Sequence, residues 1–450
     1  MPDDKPSLKP MYTTSEPNAS ISLYEGNIKL EQAKHVFTVP ASIKLNWLPS
    51  TRIKFEILNL MIEPMTAPDT GEAKLDIAEL PLFCDAYVYQ VSHSYEQDPT
   101  GKGLHGKVPL IRGQLLGEPT IFNTPVCDAV LFHLPNFKNI AGGRLHLKND
   151  EWDVLLRPID NITNLTNSLS EEGGFGLTHV GMLKRVNGGQ FDKDQASDKL
   201  IALYHFLSFV RGLWCGPILP IGQVGDKVSW QVWDAPRLTT WKNVSSWFFD
   251  FESEDLSEAF TGFIKKWMDN DWNEPTRLAI HWYIEANIGA GGVEGSIVLI
   301  QAALEMLSRV YLMEAPGACK PCTASDFGNN RLWPASKKIE RLLDEMKIPK
   351  AVPTELKELQ KANADAKIGP EMFTYIRNRI VHATEEDRAK LSAISFAARV
   401  EAKELGLWYV EMTLLSLFGF NQQYYKRFRH GQPADRVEYV PWVKAATPSP

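Results

Sequence analysis

The spacing of apolar residues changes near residue 252, and this change constrains the fold more than any other feature of the chain. From Ile21 to Phe251, short segments alternate between apolar and polar residues or are rich in β-branched residues, and Gly and Pro separate them. After Phe251 the apolar residues recur every three or four positions, as on the buried face of a helix. The pattern predicts a multidomain α+β protein, in which a β-rich N-terminal sandwich or barrel precedes an all-α helical bundle.

The same pattern predicts where the parts begin and end. Residues 1–20 and 431–450 are polar and contain prolines, so we expect flexible tails there. Residues 21–251 are predicted to form the β-rich domain, interrupted by one helix over about 195–214, and residues 252–430 the helical domain. Within the helical domain, the later helices are predicted at 335–346, 352–363, 370–382 and 386–419.

Composition excludes several classes of protein. Hydrophobic residues make up 44% and charged residues 23%, which is the usual globular mixture and excludes wholesale disorder. The net charge of -7 argues against a protein that binds nucleic acid or a membrane surface by bulk electrostatics, so a basic site must be local. Five cysteines favour a reducing compartment. With no signal peptide and no apolar run of about 18 residues, the chain is expected to be cytoplasmic and to have no membrane partner.

Most short motifs carry little functional information. The Gly-rich segments at 173–181 and 289–295 lack the spacing of nucleotide-binding loops and are interpreted as turns. Cys319 and Cys322 form a CxxC pair without a second pair, which favours two free thiols and no metal site. A hydrolase that uses a metal bound by this pair and by distant residues is a weaker alternative. Eight tryptophans between residues 214 and 282 are expected to fill a domain interface rather than to stack on sugars or bases.

The segment 372–382, MFTYIRNRIVH, is the exception. Its helical spacing places an apolar row inward and a polar row on another side. The inward row consists of Phe373, Ile376 and Ile380, and the polar row of Thr374, Asn378 and His382. Arg377 lies beside the polar row, five residues before His382 and about 140° around the helix at ~100° per residue.

Three of these residues suit RNA cleavage without a metal. An unperturbed imidazole titrates near pH ~6.5, so His382 is a suitable base for a ribose 2′-hydroxyl. Arg377 would neutralise charge that develops on the phosphate, and Asn378 would fix the tautomer of the imidazole. The alternative is a surface arginine and a histidine that only offsets the helix dipole. Spacing alone favours that alternative.

A resemblance to a known family changes this weighting. RNRIVH resembles the R-N-x-x-x-H signature of HEPN domains, and it lies late in a helical region, as it does in that family. ALEMLSRVYL is similar to the long helix of HEPN domains that carries an acidic residue, here Glu305. The resemblance covers about residues 290–430. The ending FGFNQQYYKRF and the β-rich N-terminal half are similar to the ApeA-like HEPN proteins of prokaryotic phage defence.

The resemblance implies a metal-independent endoribonuclease with no cofactor and with RNA as its substrate. It implies that Arg377 and His382 are the catalytic pair and that Asn378 supports them. It also implies a homodimer through the helical domain, with two motifs in one composite site. The N-terminal domain would be a sensor with an unknown trigger ligand, in phage defence or a toxin-like role. A non-catalytic scaffold for dimerisation or binding is the alternative, because HEPN members without activity exist.

A second, basic segment follows the last predicted helix. YYKRFRH places Lys426, Arg427 and Arg429 among aromatic residues, a composition that suits contacts with phosphates and bases. Together with Arg379, these residues are the candidates for RNA binding. An ordinary helix C-terminus enriched in cations explains the same segment equally well.

Overall fold

The chain is described here by a computed structural model. The described residues are 8–14, 16–61, 68–97, 104–138, 143–248, 255–314, 327, 332–363, 365–382, 384–428 and 433–443. The predicted change from strands to helices is confirmed. The strand that ends at Val232 is the last one before the helices, and the first helix of the C-terminal region starts at Asp255.

The first six strands form a closed antiparallel barrel in the order β1-β2-β3-β6-β5-β4. They are β1 (Ile21–Gln32), β2 (His35–Asn46), β3 (Arg52–Met61), β4 (Gly71–Ile77), β5 (Leu82–Gln97) and β6 (Leu104–Leu115). Ile43 and Leu45 are fully buried, whereas Lys44 between them is not. This alternation puts one face of each strand in the barrel core. The β-rich N-terminal half is thus confirmed, and of the predicted sandwich or barrel the closed barrel is present over residues 21–115.

A second antiparallel sheet follows the barrel, and we call it the central sheet. Its region contains β7 (Thr120–Phe122), β8 (Val126–Cys127), β9 (Ala129–Pro135), β10 (Leu145–Lys148), β11 (Trp152–Pro158), α1 (Ile162–Glu172), β12 (Leu177–Arg185), β13 (Phe191–Asp192), α2 (Lys193–Arg211), β14 (Ile218–Val224) and β15 (Lys227–Val232). The central sheet has the order β10-β11-β12-β9-β14-β15-β7, and β8 pairs with β13 separately. Strand β9 is buried at every position because the sheet is covered on both faces there.

The sequence predicted one of the two helices of this region and not the other. The predicted helix is confirmed as α2, whose start is fixed by a capping box between Asp192 and Gln195 and whose end is fixed by Gly212 at φ 75°. Helix α1 was not predicted. Its buried residues Ile162 and Leu165 are separated by Thr and Asn, which disfavour helices.

The C-terminal region is mostly helical. It contains α3 (Asp255–Trp267), α4 (Asn273–Asn287), α5 (Gly292–Arg309) with a π-helical continuation (Val310–Glu314), α6 (Ala335–Glu345), α7 (Lys357–Lys361), α8 (Gly369–His382), α9 (Glu385–Ala393), α10 (Phe396–Leu417), β16 (Gln423–Tyr425), a 3-10 turn (Pro433–Arg436) and β17 (Val437–Tyr439). The prediction of one helix over 386–419 is wrong. The chain leaves the helical conformation at Ile394, and the Ser395 side chain accepts a hydrogen bond from Ala398 N at 3.1 Å, which starts α10.

Among the described helices, only α5 with its continuation is long and apolar enough to cross a membrane. This helix is 56% buried inside the protein and packs against α4 and α10, so it is the central helix of the C-terminal region.

Two large cores hold the molecule together. One lies in the barrel and continues into six residues of the central region, which are Ile121, Phe175, Leu177, Ile218, Leu219 and Trp233. The other runs from Cys127 through the helices to Val440 and so crosses the predicted boundary at residue 252. Trp247 shows how this occurs, because its ring lies 5.3 Å from that of Phe209 on α2 and 5.5 Å from that of Phe420. Trp247 thus fills an interface, as the sequence predicted for the tryptophan cluster.

The predicted flexible tails are partly folded. At the N-terminal end, Tyr12 N donates a hydrogen bond to His133 Nε2 at 3.0 Å, so the segment lies against the central sheet. At the C-terminal end, Val440 is fully buried and Trp442 Nε1 donates to the Phe420 carbonyl at 2.9 Å. Polar composition did not predict this order because the partners lie far away in the sequence.

Candidate functional site

Helix α8 carries the predicted motif, and its inward face is anchored in the helical core. Phe373 and Ile376 are fully buried, as predicted. Gly406 on α10 allows a close approach, since a Cβ atom there would lie 2.6 Å from Phe373 Cε2 and 2.7 Å from Ile300 Cγ2. Thr374 was predicted in the polar row but is buried, and its hydroxyl donates to the Pro370 carbonyl at 2.8 Å within the helix. Packing by α5 and α10 therefore fixes α8 from within.

The three predicted catalytic residues occupy the outer part of α8. Arg377 is half-buried, and its Nη1 donates to Asn378 Oδ1 at 3.3 Å. His382 is exposed and is the last residue of the helix. All three side chains are described, and the structure gives no hydrogen bond from His382 to Arg377 or to Asn378. The helix thus joins the arginine to the asparagine and places the histidine about 7.5 Å further along the axis at ~1.5 Å per residue.

Arg379 shares this surface but is held by its own helix. Its guanidinium lies 3.8 Å from the centre of the Tyr375 ring, and Nη1 donates to the Tyr375 carbonyl at 3.4 Å. Asp387 on α9 faces the same surface. A hydrogen bond from the Thr384 hydroxyl lowers the pKa of the Asp387 carboxyl, and the nearby Arg379 and Lys390 lower it further. An acidic and a cationic group therefore lie side by side at the end of α8.

The second predicted patch is not a free basic surface. Lys426 Nζ lies 3.3 Å from Glu438 Oε1 and 5.0 Å from the centre of the Phe428 ring. Arg429 lies outside the described residues. The prediction that Arg427 contacts RNA needs correction, because only 1% of its side chain is exposed and its guanidinium is held inside the protein.

Arg427 is the centre of a buried ion cluster. Its Nη2 donates to Glu411 Oε1 at 2.9 Å, its Nε donates to Glu411 Oε2 at 3.1 Å, and its Nη1 donates to Glu404 Oε2 at 2.6 Å. The Tyr283 hydroxyl donates to the same Glu411 carboxylate at 2.6 Å. The Arg427 Nη2 group also reaches the Ser245 carbonyl at 3.2 Å, in the segment between the central sheet and α3. The cluster therefore ties that segment to α4 and α10.

The charges in the cluster stabilise one another. Burial opposes the charge on Arg427, but the carboxylates of Glu411 and Glu404 outweigh it and hold the pKa of the guanidinium well above its ordinary value. Burial opposes the charge on Glu404 as well, and Arg427 and Lys403 nevertheless lower the pKa of that carboxyl. Burial and the neighbouring Glu411 raise the pKa of the Tyr283 hydroxyl well above its ordinary value. The cluster is thus charged and internally neutralised near neutral pH.

The sequence contained a signal for this cluster. Glu411 lies in the middle of the apolar segment LWYVEMTLLSL, and a carboxylate inside a buried helix requires a cation. The basic segment that follows supplies that cation in Arg427, sixteen residues later. An internal ion pair was therefore a better interpretation of Arg427 than a contact with RNA.

The remaining predicted groups offer no metal centre in the described residues. No group of three or more His, Cys, Asp and Glu side chains there could hold a metal ion. Cys319 and Cys322 lie outside the described residues. Glu305 on α5 accepts a hydrogen bond from Gln301 Nε2 at 2.5 Å and is half-buried.

Two family models match this chain, one in the region of the central sheet and one in the helical region. Residues 123–244 match the family model described as the YopA central domain, and residues 269–438 match that of the YopA C-terminal domain. The chain is 27% identical over 454 residues to the SPbeta prophage-derived uncharacterized protein YopA of Bacillus subtilis (strain 168), and the match covers 97% of this chain and 98% of that protein. No solved structure matches significantly. The chain is therefore similar to YopA from the barrel to the last strand.

Proposed function

We propose that this protein is a metal-independent endoribonuclease of the HEPN type, with its chemistry on the outer face of α8. The observation that carries the proposal is the arrangement of three side chains on one anchored helix. Arg377 is bonded to Asn378, and His382 is exposed at the C-terminal end of the helix. The resemblance of RNRIVH to the HEPN signature supports the same assignment.

The proposed reaction needs only the groups present in this motif. His382 takes the proton of a ribose 2′-hydroxyl, and the 2′-oxygen attacks the adjacent phosphorus. The bond to the 5′-oxygen breaks, and a second protonated imidazole donates a proton to that oxygen. Arg377 neutralises the charge on the phosphate. The products are a 2′,3′-cyclic phosphate and a 5′-hydroxyl.

Two copies of the motif would supply the two imidazoles, which favours a homodimer through the helical region. Apolar side chains are exposed beside the motif, since Val381 is 44% and Phe396 62% exposed. Such residues commonly mark protein interfaces. A pair related by a two-fold axis would bury both residues and bring one His382 towards the partner's Arg377.

The N-terminal barrel would act as a sensor that controls the helical region, with an unknown trigger. The prophage origin of the YopA relative supports a role in conflict between phages or in a toxin-like response. A cytoplasmic location follows from the need to reach RNA. A dimerisation scaffold without catalysis is the rival that the experiment must separate from this proposal.

The test is cleavage of total RNA in EDTA by the purified full-length protein and by Arg377→Ala, Asn378→Ala and His382→Ala. We expect cleavage to fall at least about 100-fold without His382, since positioned acid–base groups contribute at least that factor. Lys390→Ala is the control, because Lys390 lies on the neighbouring α9 and pairs with Glu386. It should cleave like the wild type.

The scaffold alternative gives a different result. Where the purified wild type does not cleave RNA by itself, a growth assay with inducible expression, with and without phage, supplies the trigger. If His382→Ala retains the full phenotype of the wild type, the site is not catalytic. Light scattering then shows whether the protein dimerises regardless of the motif.

A further inference from the structure

A cleft of about 130 Å³ lies away from α8, between α2 and the β14–β15 hairpin. One wall is a stripe along α2 formed by Lys193, Ser197, Ile201 and Tyr204. The opposite wall is apolar and rigid. It consists of Pro217, Pro220, Trp230, Val232 and Pro236. Aromatic and proline side chains on a sheet and a helix form a concave surface that suits an apolar molecule.

Two carboxylates also line the cleft. Asp234 is half-buried just after β15, and Glu118 is exposed in the connection from the barrel to β7. In the ranges that the structure describes, neither of them forms an ion pair. Burial raises the pKa of Asp234 above its ordinary value, and the charge of Glu118 contributes in the same direction, while the Ala235 N–H opposes the shift. Two carboxylates that line one cleft without a paired cation are electrostatically unfavourable.

The nearby cations of the protein do not neutralise this pair. The Tyr204 hydroxyl donates to the Arg237 carbonyl at 2.8 Å, which places the chain just after Asp234 at the Tyr204 end of the cleft. Lys193 lies eleven residues before Tyr204, about 16 Å away along the helix at ~1.5 Å per residue. The Arg237 guanidinium is 2.9 Å from Glu285 Oε1 and is held there.

We infer that this cleft binds a small molecule with an apolar body and one cationic amine. The apolar body would lie between α2 and the proline-rich wall, and the ammonium group would pair with Asp234 while Glu118 strengthens the local negative potential. A charged amine supplies the missing cation, and a charge-assisted hydrogen bond to a half-buried carboxylate is stronger than one between neutral groups. This inference does not depend on the ribonuclease proposal.

The probe is 2-phenylethylamine, compared with the neutral 2-phenylethanol and the anionic 3-phenylpropanoate. Isothermal titration of the full-length protein should show binding of the amine, at least about tenfold weaker binding of the alcohol and none of the anion. Asp234→Asn should reduce the affinity for the amine about tenfold or more and leave that for the alcohol unchanged. Asp226→Asn is the matched control, because Asp226 lies in the turn of the same hairpin and does not line the cleft.

A second variant tests the place of binding by filling the cleft with a larger side chain. Ile201 is 49% exposed at the rim, so Ile201→Trp should fold and fill the cleft. It should weaken binding of the amine and the alcohol together. No binding of the amine to the wild type, equal binding of amine and anion, or unchanged affinity in both Asp234→Asn and Ile201→Trp would each overturn the inference. Equal loss in Asp226→Asn would overturn the assignment to this cleft.

Discussion

Two buried histidines in the central sheet should make the protein lose stability steeply in mild acid. His133 on β9 is fully buried and His179 on β12 is 1% exposed. Burial lowers the pKa of His133 to about 4, although a hydrogen bond to the Leu219 backbone opposes the shift, and burial lowers the pKa of His179 to about 3. Their Nε2 and Nδ1 atoms face the Tyr12 N–H and the Thr178 hydroxyl respectively. In the unfolded chain both imidazoles titrate near pH ~6.5.

The sign of the effect follows from proton binding. Above pH ~6.5 both histidines are neutral in the folded and unfolded states, so they contribute no pH dependence. Below that value the unfolded chain binds protons that the folded chain excludes, and the free energy of unfolding falls until the pH reaches the folded pKa. Each histidine costs about 1.4 kcal/mol per pH unit in that window, or about 2 kcal/mol between pH ~6.5 and 5. The pair should therefore cost about 4 kcal/mol.

Urea denaturation at pH 7 and pH 5 measures this cost for wild type, His133→Gln and His179→Asn. In His133→Gln the amide oxygen can accept from the Tyr12 N–H as Nε2 does. In His179→Asn the amide nitrogen can donate to the Thr178 hydroxyl as Nδ1 does, because the Thr178 hydroxyl itself donates to the Leu134 carbonyl. Neither amide titrates. We expect the loss between pH 7 and 5 to be about 2 kcal/mol smaller in each variant than in the wild type. His35→Gln, at the exposed start of β2, should leave the loss unchanged. If all four proteins lost the same free energy, the two histidines would not be excluded from protonation and the reasoning would be wrong.

Three further changes test the packing by urea denaturation at pH 7. Glu411→Gln should destabilise the protein by about 3–5 kcal/mol, because it leaves the buried charge of Arg427 without its main partner. Asp192→Ala removes the cap of α2 and should cost about 1 kcal/mol. Gly262→Ala should cost about 1–3 kcal/mol, because its Cβ would lie 1.6 Å from the Phe418 carbonyl oxygen unless α3 moved. A change below about 0.5 kcal/mol in any of the three would contradict the contact on which it rests.

The sequence predicted those parts of the fold that depend on local periodicity. Ile43 and Leu45 alternate with Lys44 in the sequence as they do in the barrel. Closure of the barrel was beyond such reasoning, since it depends on pairing between β1 and β4, where Leu30 faces Leu75. The same limit explains the terminal segments, because Tyr12 is ordered by a histidine 121 residues away. Local composition there indicated flexibility.

The candidate site likewise has features that local spacing predicted and features that it did not. The inward face of α8 was predicted because Phe373 and Ile376 follow helical spacing. The burial of Arg427 was not predicted, because it depends on which elements surround the residue and not on its neighbours in the sequence. Only Glu411, an acid inside an apolar helix, indicated that a cation had to lie in the core. The cleft beside α2 had no sequence motif, since its walls come from segments that meet only in the fold.

The packing also shows that the change of period near residue 252 does not separate two independent cores. The change of period near residue 252 separates strands from helices, but the larger core continues across it from Cys127 to Val440. The segment in between is held at both ends, since Trp233 lies in the barrel core and the Ser245 carbonyl accepts from the buried Arg427. A rotation of the helices relative to the central sheet would break the contact between Ser245 and Arg427. Under the proposed function, a signal from the barrel would pass through the central sheet, which contributes residues to both cores, before it reached α8.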